Sequence, residues 1–379
     1  MSTLAPPREH TRAAFRAFTD REVVPHAAAW DREERISPEV IRGLAEEGYL
    51  GAILPAEVGG AGMDMPTFAA LNEELGRGCS SVRSLITVHS MLSFGISRWG
   101  SRAQKERWLP SLASGERIGA FALTEPEIGS DAASIATAAE RDGDEYVLTG
   151  TKRWITFGQI ADVFIVFARS EGKPLALLVE RDAPGLTIQP IPGVVGTRAS
   201  MIAELTFAGC RVPLANRLGG PGFGLGVAMT VLEIGRMSVA AGCVGILQAC
   251  LEASLAYAIG RVQFGQPLSE HQLIRQMITN MATDVRAARL LCENAGRLFD
   301  RGDPAARDEI FVAKYFASTA ATRAAADAMQ IHGANGFTDR YPVERMLRDA
   351  RVMEVIEGST QIMHNAIARH ELEAYAARS

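Results

Sequence analysis

The sequence contains few cysteines, and none of them has the spacing of a metal-binding or redox motif. There are five cysteines in 379 residues, an odd number without a CxxC pair. This pattern argues against a disulfide framework and against a structural zinc site as the basis of the fold. Cys243 and Cys250 lie seven residues apart on one apolar helix face, which is typical of buried thiols. We expect a reduced, cytoplasmic protein that binds no metal.

The sequence also lacks long apolar runs and an excess of positive charge. The N-terminal segment has no apolar core of a signal peptide. The longest apolar stretches, at residues 175–179, 224–232 and 239–247, contain glycine or end well short of ~18 residues. The net charge of −5 argues against nucleic acid as a partner. We therefore expect neither a membrane span nor a surface that binds nucleic acid.

Several common catalytic and nucleotide-binding motifs are absent. The glycine-rich segment at residues 219–226 lacks the GxGxxG spacing and does not follow a βα unit, and no P-loop, HExxH or GxSxG occurs. These absences exclude a Rossmann-type dinucleotide site, nucleotide hydrolysis, zinc proteolysis and α/β-hydrolase chemistry.

The hydrophobic period changes twice along the chain. Helical spacing up to about residue 118 gives way to six short β-type runs, at 120–123, 145–148, 163–168, 175–179, 186–189 and 204–207. Helical spacing then returns, at 227–259, 270–301, 305–333 and 342–355. We therefore predict an α+β fold with an N-terminal α-helical domain (1–118), a middle antiparallel β-barrel or sandwich (119–220) and a C-terminal four-helix bundle (221–379).

Two segments of the predicted β domain contain candidate cofactor contacts. ALTEPEIGSD, at residues 122–131, is a strand that runs into a polar loop. There Thr124, Gly129 and Ser130 would offer hydroxyl and backbone donors to an anionic cofactor, unless the segment is an ordinary strand end. In GTKRWIT, at residues 150–156, Trp154 is either a cofactor contact or part of the core.

Two segments of the predicted bundle contain candidate charged groups. RVQFGQPL, at residues 261–268, places Arg261 where a long helix breaks. Its guanidinium either binds a pyrophosphate or only interacts with the helix dipole. In IEGSTQI, at residues 356–362, Glu357 lies between apolar residues and a glycine. A lone glutamate is usually solvated, but such surroundings raise a carboxyl pKa toward the range of a general base.

Together, and in this order, these motifs resemble the acyl-CoA dehydrogenase family. The similarity extends from about residue 10 to residue 372 and includes YPVERMLRDAR, at residues 341–351. The resemblance implies a helical domain, a β domain and a four-helix bundle, with FAD bound non-covalently where the last two meet. It also implies oxidation of an acyl thioester, in which a glutamate removes the α-proton while the β-carbon delivers a hydride to flavin N5.

The resemblance assigns roles to individual residues. Glu357 is expected to be the catalytic base, because the base position that some relatives have on the earlier bundle helix is Gly235 here, just before Arg236. Ala334 and Ile356 depart from a usual glycine and a frequent tyrosine, which affects the adenine side and the acyl pocket. The expected FAD contacts of the β domain are Phe121, Leu123, Thr124, Gly129, Ser130, Trp154 and Thr156. The expected FAD contacts of the bundle are Arg261, Phe264, Gln272, Gln330, Gly333, Ser359 and Gln361. Several of them are expected to reach the cofactor of a neighbouring subunit in a homodimer or homotetramer. The expected substrate contacts are Arg83, Ser84, Ser130, Arg236 and Gly358.

The segment CSSVRS, at residues 79–84, aligns with the helix that lines the far end of the acyl chain. A plain acyl chain needs an apolar wall there, since each buried methylene contributes ~0.8 kcal/mol. Arg83 indicates instead a polar or anionic acyl end, unless it is a surface arginine. Arg-Ser at this place resembles glutaryl-CoA dehydrogenases. Together with residues 235–250 it is most similar to the branch that makes hydroxymalonyl or aminomalonyl polyketide extender units on acyl carrier proteins.

We therefore expect an FAD-dependent dehydrogenase of a short, polar acyl thioester on acyl carrier protein or CoA. Its electron acceptor would be electron-transfer flavoprotein or oxygen. The alternatives are a short-chain or glutaryl-type acyl-CoA dehydrogenase of catabolism and a non-catalytic, DNA-binding relative with the same fold. The acidic charge and the short segment after Glu357 argue against the DNA-binding relative. The sequence leaves the acyl group, the carrier, the acceptor, the oligomer size and the pathway open.

Overall fold

The computed structural model describes residues 10–377 of the chain. The part of the chain before the β domain is helical, as the spacing predicts. Its helices are α1 (Arg12–Phe18), α2 (Ala27–Glu33), α3 (Pro38–Glu46), α4 (Met65–Gly78), α5 (Ser80–Trp99) and α6 (Arg102–Ala113). Side-chain caps define the N-terminal ends of two of these helices. The Asp64 side chain accepts a hydrogen bond from Thr67 N at the start of α4, and Ser101 and Gln104 form a capping box at the start of α6.

The middle of the chain forms one sheet. Its strands are β1 (Gly119–Ala122), β2 (Ala138–Asp142), β3 (Glu145–Ile155), β4 (Val163–Ser170), β5 (Lys173–Glu180), β6 (Leu186–Pro190), β7 (Ala203–Pro213) and β8 (Arg217–Leu218). They are ordered β6-β7-β3-β2-β4-β5-β8, with β1 beside β4. The sequence did not predict β2 or β8, and β3 and β7 are each longer than the predicted runs. The order of helices, strands and helices is confirmed.

The prediction of a purely antiparallel sheet is wrong for β1, and also for β2 where Ala138 meets Arg169 of β4 in parallel. Strand β1 pairs with β4 in parallel, with Gly119 opposite Val163 and Ala122 opposite Val166. The β2–β3 hairpin forms the crossover between the two strands, so the pairing joins residues that are far apart in the sequence. A hydrophobic period reports only local geometry and does not reveal such a pairing. The parallel pairing makes the motif at residues 122–131 leave the sheet beside the middle of β4.

The last part of the chain is again helical. Its helices are α7 (Gly224–Gly260), α8 (Gln272–Asp300), α9 (Ala306–His332), α10 (Val343–Met353) and α11 (Thr360–Ala376), the last of which follows the four that the sequence predicts. By length and composition α7 could cross a membrane, but 67% of its most apolar 18-residue window is buried inside the protein. It packs against α4, α5, α8 and α9, so it is the core helix of the bundle. All five cysteines are free and buried.

His89 of α5 joins the N-terminal helices to the first strand. Its ring is fully buried. Nδ1 accepts a hydrogen bond from Gly119 N at 3.1 Å, so the proton is on Nε2, which donates to Leu112 O at 3.0 Å. Burial lowers the pKa of His89 to about 4. The neutral ring satisfies both partners, whereas a protonated ring would point a second N–H at the Gly119 N–H.

Acidification is expected to destabilise the protein through His89. Between pH 6.5 and about 4, the unfolded chain binds a proton that the folded His89 does not. The free energy of unfolding should therefore lose about 3 kcal/mol through His89 as the pH falls across this range, and nothing above it. Urea unfolding as a function of pH measures this loss, with the non-titrating His89→Gln variant as the control. An equal pH dependence in both proteins would contradict the prediction.

Candidate active site

Glu357 lies in a left-handed turn between α10 and α11. Its φ is 54° and that of Gly358 is 96°, and residues other than glycine rarely adopt such a positive φ. Two buried cations hold the turn: Arg236 Nε of α7 donates to Glu357 O at 3.0 Å, and Lys314 Nζ of α9 donates to Gly358 O at 2.7 Å. Two bundle helices therefore position the backbone from which the Glu357 side chain projects.

The Glu357 carboxylate lies in a protected environment. The residue as a whole is half-buried, but its Oε2 is buried and has no hydrogen-bond partner within residues 10–377. This oxygen faces Gly235, where an added Cβ would lie only 2.4 Å from it. Burial raises the pKa of the carboxyl group, against the pull of Arg236, Arg83 and Lys314. A free, partly desolvated carboxylate oxygen has the properties of a general base, and Gly235 leaves the space that it needs.

Arg83 of α5 is a second buried charge near this carboxylate. The side chain is 1% exposed, so the alternative of a surface arginine is wrong. Nη1 donates to Thr87 Oγ1 at 2.9 Å and Nη2 contacts Met353 Sδ at 3.2 Å. The buried Nε has no partner in the described part of the chain, and burial lowers the pKa of the guanidinium. A buried guanidinium with a free N–H is suited to an oxygen acceptor from a ligand.

Arg83 and Glu357 face the same side of α7. An added Cβ at Gly242 would lie 2.9 Å from Arg83 Nε, and an added Cβ at Gly235 would lie beside both Glu357 and Met91 Sδ of α5. These two glycines are two helical turns apart, or about 10 Å along the axis. The guanidinium and the carboxylate therefore lie at different positions along α7, one beside each glycine.

The predicted FAD contacts of the β domain meet where β1 and β3 end. Arg153 N donates to Thr124 O at 2.8 Å, which joins the two motifs. Trp154 has a φ of 64° and is 49% exposed, so the alternative that it belongs to the core is wrong. In this set the exposed or half-buried members are Phe121, Thr124, Gly129, Ser130, Trp154 and Thr156, and the buried one is Leu123. An exposed aromatic ring beside two threonine hydroxyls fits a flat, hydrogen-bonding ring system such as that of FAD.

The predicted FAD contacts of the bundle fall into two groups. Ser359 and Gln361 lie at the start of α11, next to Glu357, and Ser359 Oγ caps the helix by accepting from Ile362 N. Arg261 follows the C-terminal end of α7, about 26 residues or ~39 Å of helix beyond Gly235. The exposed residues at that far end are Arg261, Phe264, Gln272, Gln330 and Gly333. This separation exceeds the length of a dinucleotide, so the far group cannot contact an FAD bound beside Glu357 of the same chain.

The predicted substrate contacts are only partly brought together. Arg236 lies next to Glu357, with its guanidinium 4.8 Å from the centre of the Phe311 ring. Gly358 adjoins Glu357, whereas Ser130 lies on the exposed loop after β1. Ser84 is buried, but its hydroxyl donates to Ser80 O inside α5. The polar side chains grouped with the carboxylate are therefore those of Arg83 and Arg236.

Lys314 is a charged group that the sequence analysis missed. It is fully buried on α9, and burial lowers its pKa to about 8. No carboxylate lies within ion-pair distance of it in the structure as described. The signal in the sequence was a single lysine in the alanine-rich segment that forms α9. A lysine is buried in such a helix only if its ammonium group has a specific partner.

A buried ion pair supports the β-domain motifs and was also missed. Lys152 Nζ donates to Glu125 Oε1 at 2.7 Å and to Leu123 O at 2.9 Å. Glu125 also accepts from Ala136 N and from the backbone and hydroxyl of Thr137. Burial raises the pKa of Glu125, but these hydrogen bonds outweigh it and hold the pKa below the usual value. The signal was that all the charged residues of ALTEPEIGSD are acidic, whereas those of GTKRWIT are basic.

Removing one partner of this pair is expected to destabilise the protein strongly. Glu125→Ala should lower the free energy of unfolding by about 3–5 kcal/mol, because the Lys152 ammonium would stay buried without a counter-ion. Chemical denaturation measures the change. The double variant Glu125→Leu with Lys152→Met is the matched control, since it removes both charges and should lose less stability than Glu125→Ala. Equal stability of Glu125→Ala and the unmodified protein would contradict the prediction.

Family comparisons agree with this architecture. Models of the N-terminal, middle and C-terminal domains of acyl-CoA dehydrogenases match residues 6–116, 120–210 and 222–372. The mitochondrial short-chain specific acyl-CoA dehydrogenase of Rattus norvegicus is 39% identical over 370 residues, which are 96% of this chain and 90% of the relative. The chain belongs to the acyl-CoA dehydrogenase family. It is an FAD-dependent oxidoreductase that acts on CH–CH bonds, so the predicted family, cofactor and reaction class are confirmed.

Solved structures of other family members are similar to this acyl-CoA dehydrogenase over nearly their whole length. Glutaryl-CoA dehydrogenase from Mycobacterium smegmatis superposes with a TM-score of 0.91 at 36% identity, covering 97% of this chain and 95% of that one. FkbI, which functions in biosynthesis of a methoxymalonyl polyketide extender unit, superposes with a TM-score of 0.88 at 33% identity, covering 96% of this chain and 99% of that one.

Proposed function

We propose that this dehydrogenase oxidises a short acyl thioester whose acyl group ends in a hydroxyl or carboxylate, and that Glu357 is its catalytic base. The observation that carries the proposal is the buried Arg83 guanidinium with its unpartnered Nε. The carboxylates of Glu357 and Asp349 act on its charge, but neither forms an ion pair with it in the structure as described. Asp349 is bound to Thr197 N and Arg345 instead. An oxygen of the substrate would provide the missing partner.

The distance between the two groups limits the length of the acyl group. The glycines that face the base and the guanidinium lie about 10 Å apart along α7, and contacts of about 3 Å are needed at each end. An extended chain advances about 1.2 Å per bond, so only a few bonds fit between the α-carbon and the polar end. A long unbranched acyl chain would instead place methylenes against the guanidinium.

The chemical step requires few groups of this chain. FAD, when bound, supplies the acceptor for the hydride from the β-carbon. Glu357 takes the α-proton, and the electron pair of the broken C–H bond becomes part of the new C=C bond. Arg236 and Lys314 hold the turn that carries the base, through the carbonyl oxygens of Glu357 and Gly358. Glu357 must be ionised to act, so the rate should rise as the pH increases through its raised pKa.

Similarity to AnaB, a prolyl acyl carrier protein oxidase that superposes with a TM-score of 0.92 at 30% identity, supports an acyl carrier protein as the carrier of the substrate. Similarity to FkbI supports a role in the biosynthesis of a polyketide extender unit. Similarity to the glutaryl-CoA and short-chain enzymes favours a second candidate, a catabolic dehydrogenase of a short acyl-CoA. Either enzyme would pass its electrons to electron-transfer flavoprotein or to oxygen. The buried free thiols support a reducing, cytoplasmic location.

The two distant groups of FAD contacts support a homodimer or homotetramer. Arg261 and Phe264 are too far from Glu357 to serve the FAD of their own chain. Phe264 is 97% exposed at the tip of a short hairpin, where it is free to meet a second subunit. We expect these residues to complete the cofactor site of a neighbouring copy.

A panel of thioesters tests the proposed function. Flavin bleaching and kcat/KM are measured with butyryl, octanoyl, glutaryl and 4-hydroxybutyryl groups, each on CoA and on acyl carrier protein. The short polar groups should react best and the octanoyl group poorly. Equal or better rates with octanoyl thioesters would overturn the proposal. Higher kcat/KM on acyl carrier protein would favour extender-unit synthesis, and higher kcat/KM on CoA would favour the catabolic candidate.

A further inference from the structure

Three buried polar side chains connect Arg83 of α5 to α7 and α4. Arg83 Nη1 donates to Thr87 Oγ1 at 2.9 Å, Thr87 Oγ1 lies 2.6 Å from Ser238 Oγ, and Ser238 Oγ lies 2.6 Å from Asn72 Oδ1. All four residues are buried. They come from α4 (Asn72), α5 (Thr87 and Arg83) and α7 (Ser238). We call Asn72, Ser238 and Thr87 the polar relay.

The direction of each hydrogen bond in the polar relay follows from the hydrogen bonds of Asn72, the residue at its end. Asn72 Nδ2 donates to Phe68 O at 2.8 Å, so its Oδ1 is the acceptor that faces Ser238. Ser238 uses its one proton to donate to this oxygen. The 2.6 Å contact between Thr87 and Ser238 then needs the Thr87 proton, so Thr87 donates to Ser238 rather than to its other acceptor, Arg83 O at 3.1 Å. Thr87 Oγ1 in turn accepts from Arg83 Nη1. All bonds run the same way, and the relay presents an acceptor lone pair to the guanidinium.

The polar relay restricts the orientation of a planar group. A guanidinium carries its N–H groups in a fixed fork, so fixing Nη1 also sets the direction of Nε. Nη2 is enclosed by Met353 Sδ, and the Nε side faces Gly242. The N–H groups of the guanidinium that have no partner, that of Nε among them, are therefore held in fixed directions rather than distributed over several rotamers.

We propose that Asn72, Ser238 and Thr87 are positioning residues, which hold the Arg83 guanidinium in place for the polar end of the acyl group and so determine substrate specificity. The inference rests on the proposed function, because it requires Arg83 to face the substrate. Ser238 and Asn72 act through Thr87 and Arg83 and do not themselves contact the acyl group. The polar relay contributes to recognition of the acyl end, not to the removal of the α-proton.

The test is a set of variants in two backgrounds, assayed as FAD-loaded protein with glutaryl and butyryl thioesters. Thr87→Val removes the hydroxyl at constant shape, Thr87→Ser keeps it, and Ser238→Ala interrupts the polar relay one residue further away. Each is made with Arg83 present and with Arg83→Leu. Thr87→Val and Ser238→Ala should raise KM for the glutaryl thioester about 10-fold, with kcat changed much less. Butyryl kinetics should be unchanged, and Thr87→Ser should behave like the unmodified enzyme.

The Arg83→Leu background separates positioning from a general structural effect. There, Thr87→Val and Ser238→Ala should no longer alter the ratio of glutaryl to butyryl kcat/KM, since the group that they position is absent. Equal losses on both thioesters, or the same change of the ratio in both backgrounds, would overturn the inference. If Arg83→Leu alone leaves the ratio unchanged, the proposed function fails. If Arg83→Leu changes the ratio but Thr87→Val and Ser238→Ala do not, only the positioning role fails.

Discussion

The Glu357→Gln variant is expected to bind FAD but to slow its anaerobic reduction by substrate by ~10²-fold or more. Glutamine has the shape of glutamate, and the bonds from Arg236 and Lys314 that hold the turn go to backbone oxygens, so the position of the side chain should persist. The amide cannot accept the α-proton at any accessible pH. Stopped-flow measurement of flavin bleaching under anaerobic conditions gives the rate.

Glu354 provides the matched control for this variant. It lies three residues before Glu357, but its carboxylate pairs with Arg351 at 3.1 Å. Glu354→Gln should therefore retain most of the rate of flavin reduction. Bleaching of Glu357→Gln at the unmodified rate would rule out Glu357 as the base. An equal loss in both variants would show that the loss reflects the acidic surroundings and not proton transfer.

The Arg83→Leu variant is expected to lower the ratio of kcat/KM for polar over plain acyl groups. Converted to free energy, this change in substrate preference is about 2–4 kcal/mol. A carboxylated or hydroxylated substrate would lose its charged partner inside a site that excludes water. A butyryl thioester would be unaffected or improved, because leucine removes a buried charge with which it makes no hydrogen bond.

Arg83→Lys is the informative comparison for this effect. Lysine keeps the positive charge but lacks the planar fork that Thr87 orients. The ratio of kcat/KM should therefore lie between those of the unmodified enzyme and Arg83→Leu. An unchanged ratio in Arg83→Leu would remove Arg83 from recognition of the substrate and leave only the general dehydrogenase activity of the family.

The sequence was sufficient for the family, the order of the domains and the candidate base. Each of these depends on contiguous segments: the helical period before and after the β runs, the motif around Thr124, and the apolar residues and glycine on either side of Glu357. Hydrophobic periodicity and turn residues reflect local backbone geometry, so a single sequence contains them in full. The helix bounds agree within a few residues for the same reason.

Contacts between distant segments could not be predicted. The sequence left Trp154 open between core and cofactor site and Arg83 open between surface and pocket, and the structure decided both through exposure. It also decided the parallel pairing of β1 with β4. In each case the answer depends on which elements pack together, and the residues on either side do not determine that.

Tertiary structure alone shows why Glu357 has the surroundings of a base. Gly235 leaves room for the carboxylate, and Arg236 and Lys314 hold its turn, although all three lie on helices remote from Glu357 in the sequence. A carboxyl pKa is set by burial and by nearby charges, and both are properties of the packed assembly rather than of the segment. The sequence by itself therefore determined which residue is the candidate base, and the packing of α7, α9 and α5 around Glu357 raised its pKa and placed Arg83 against the same side of α7.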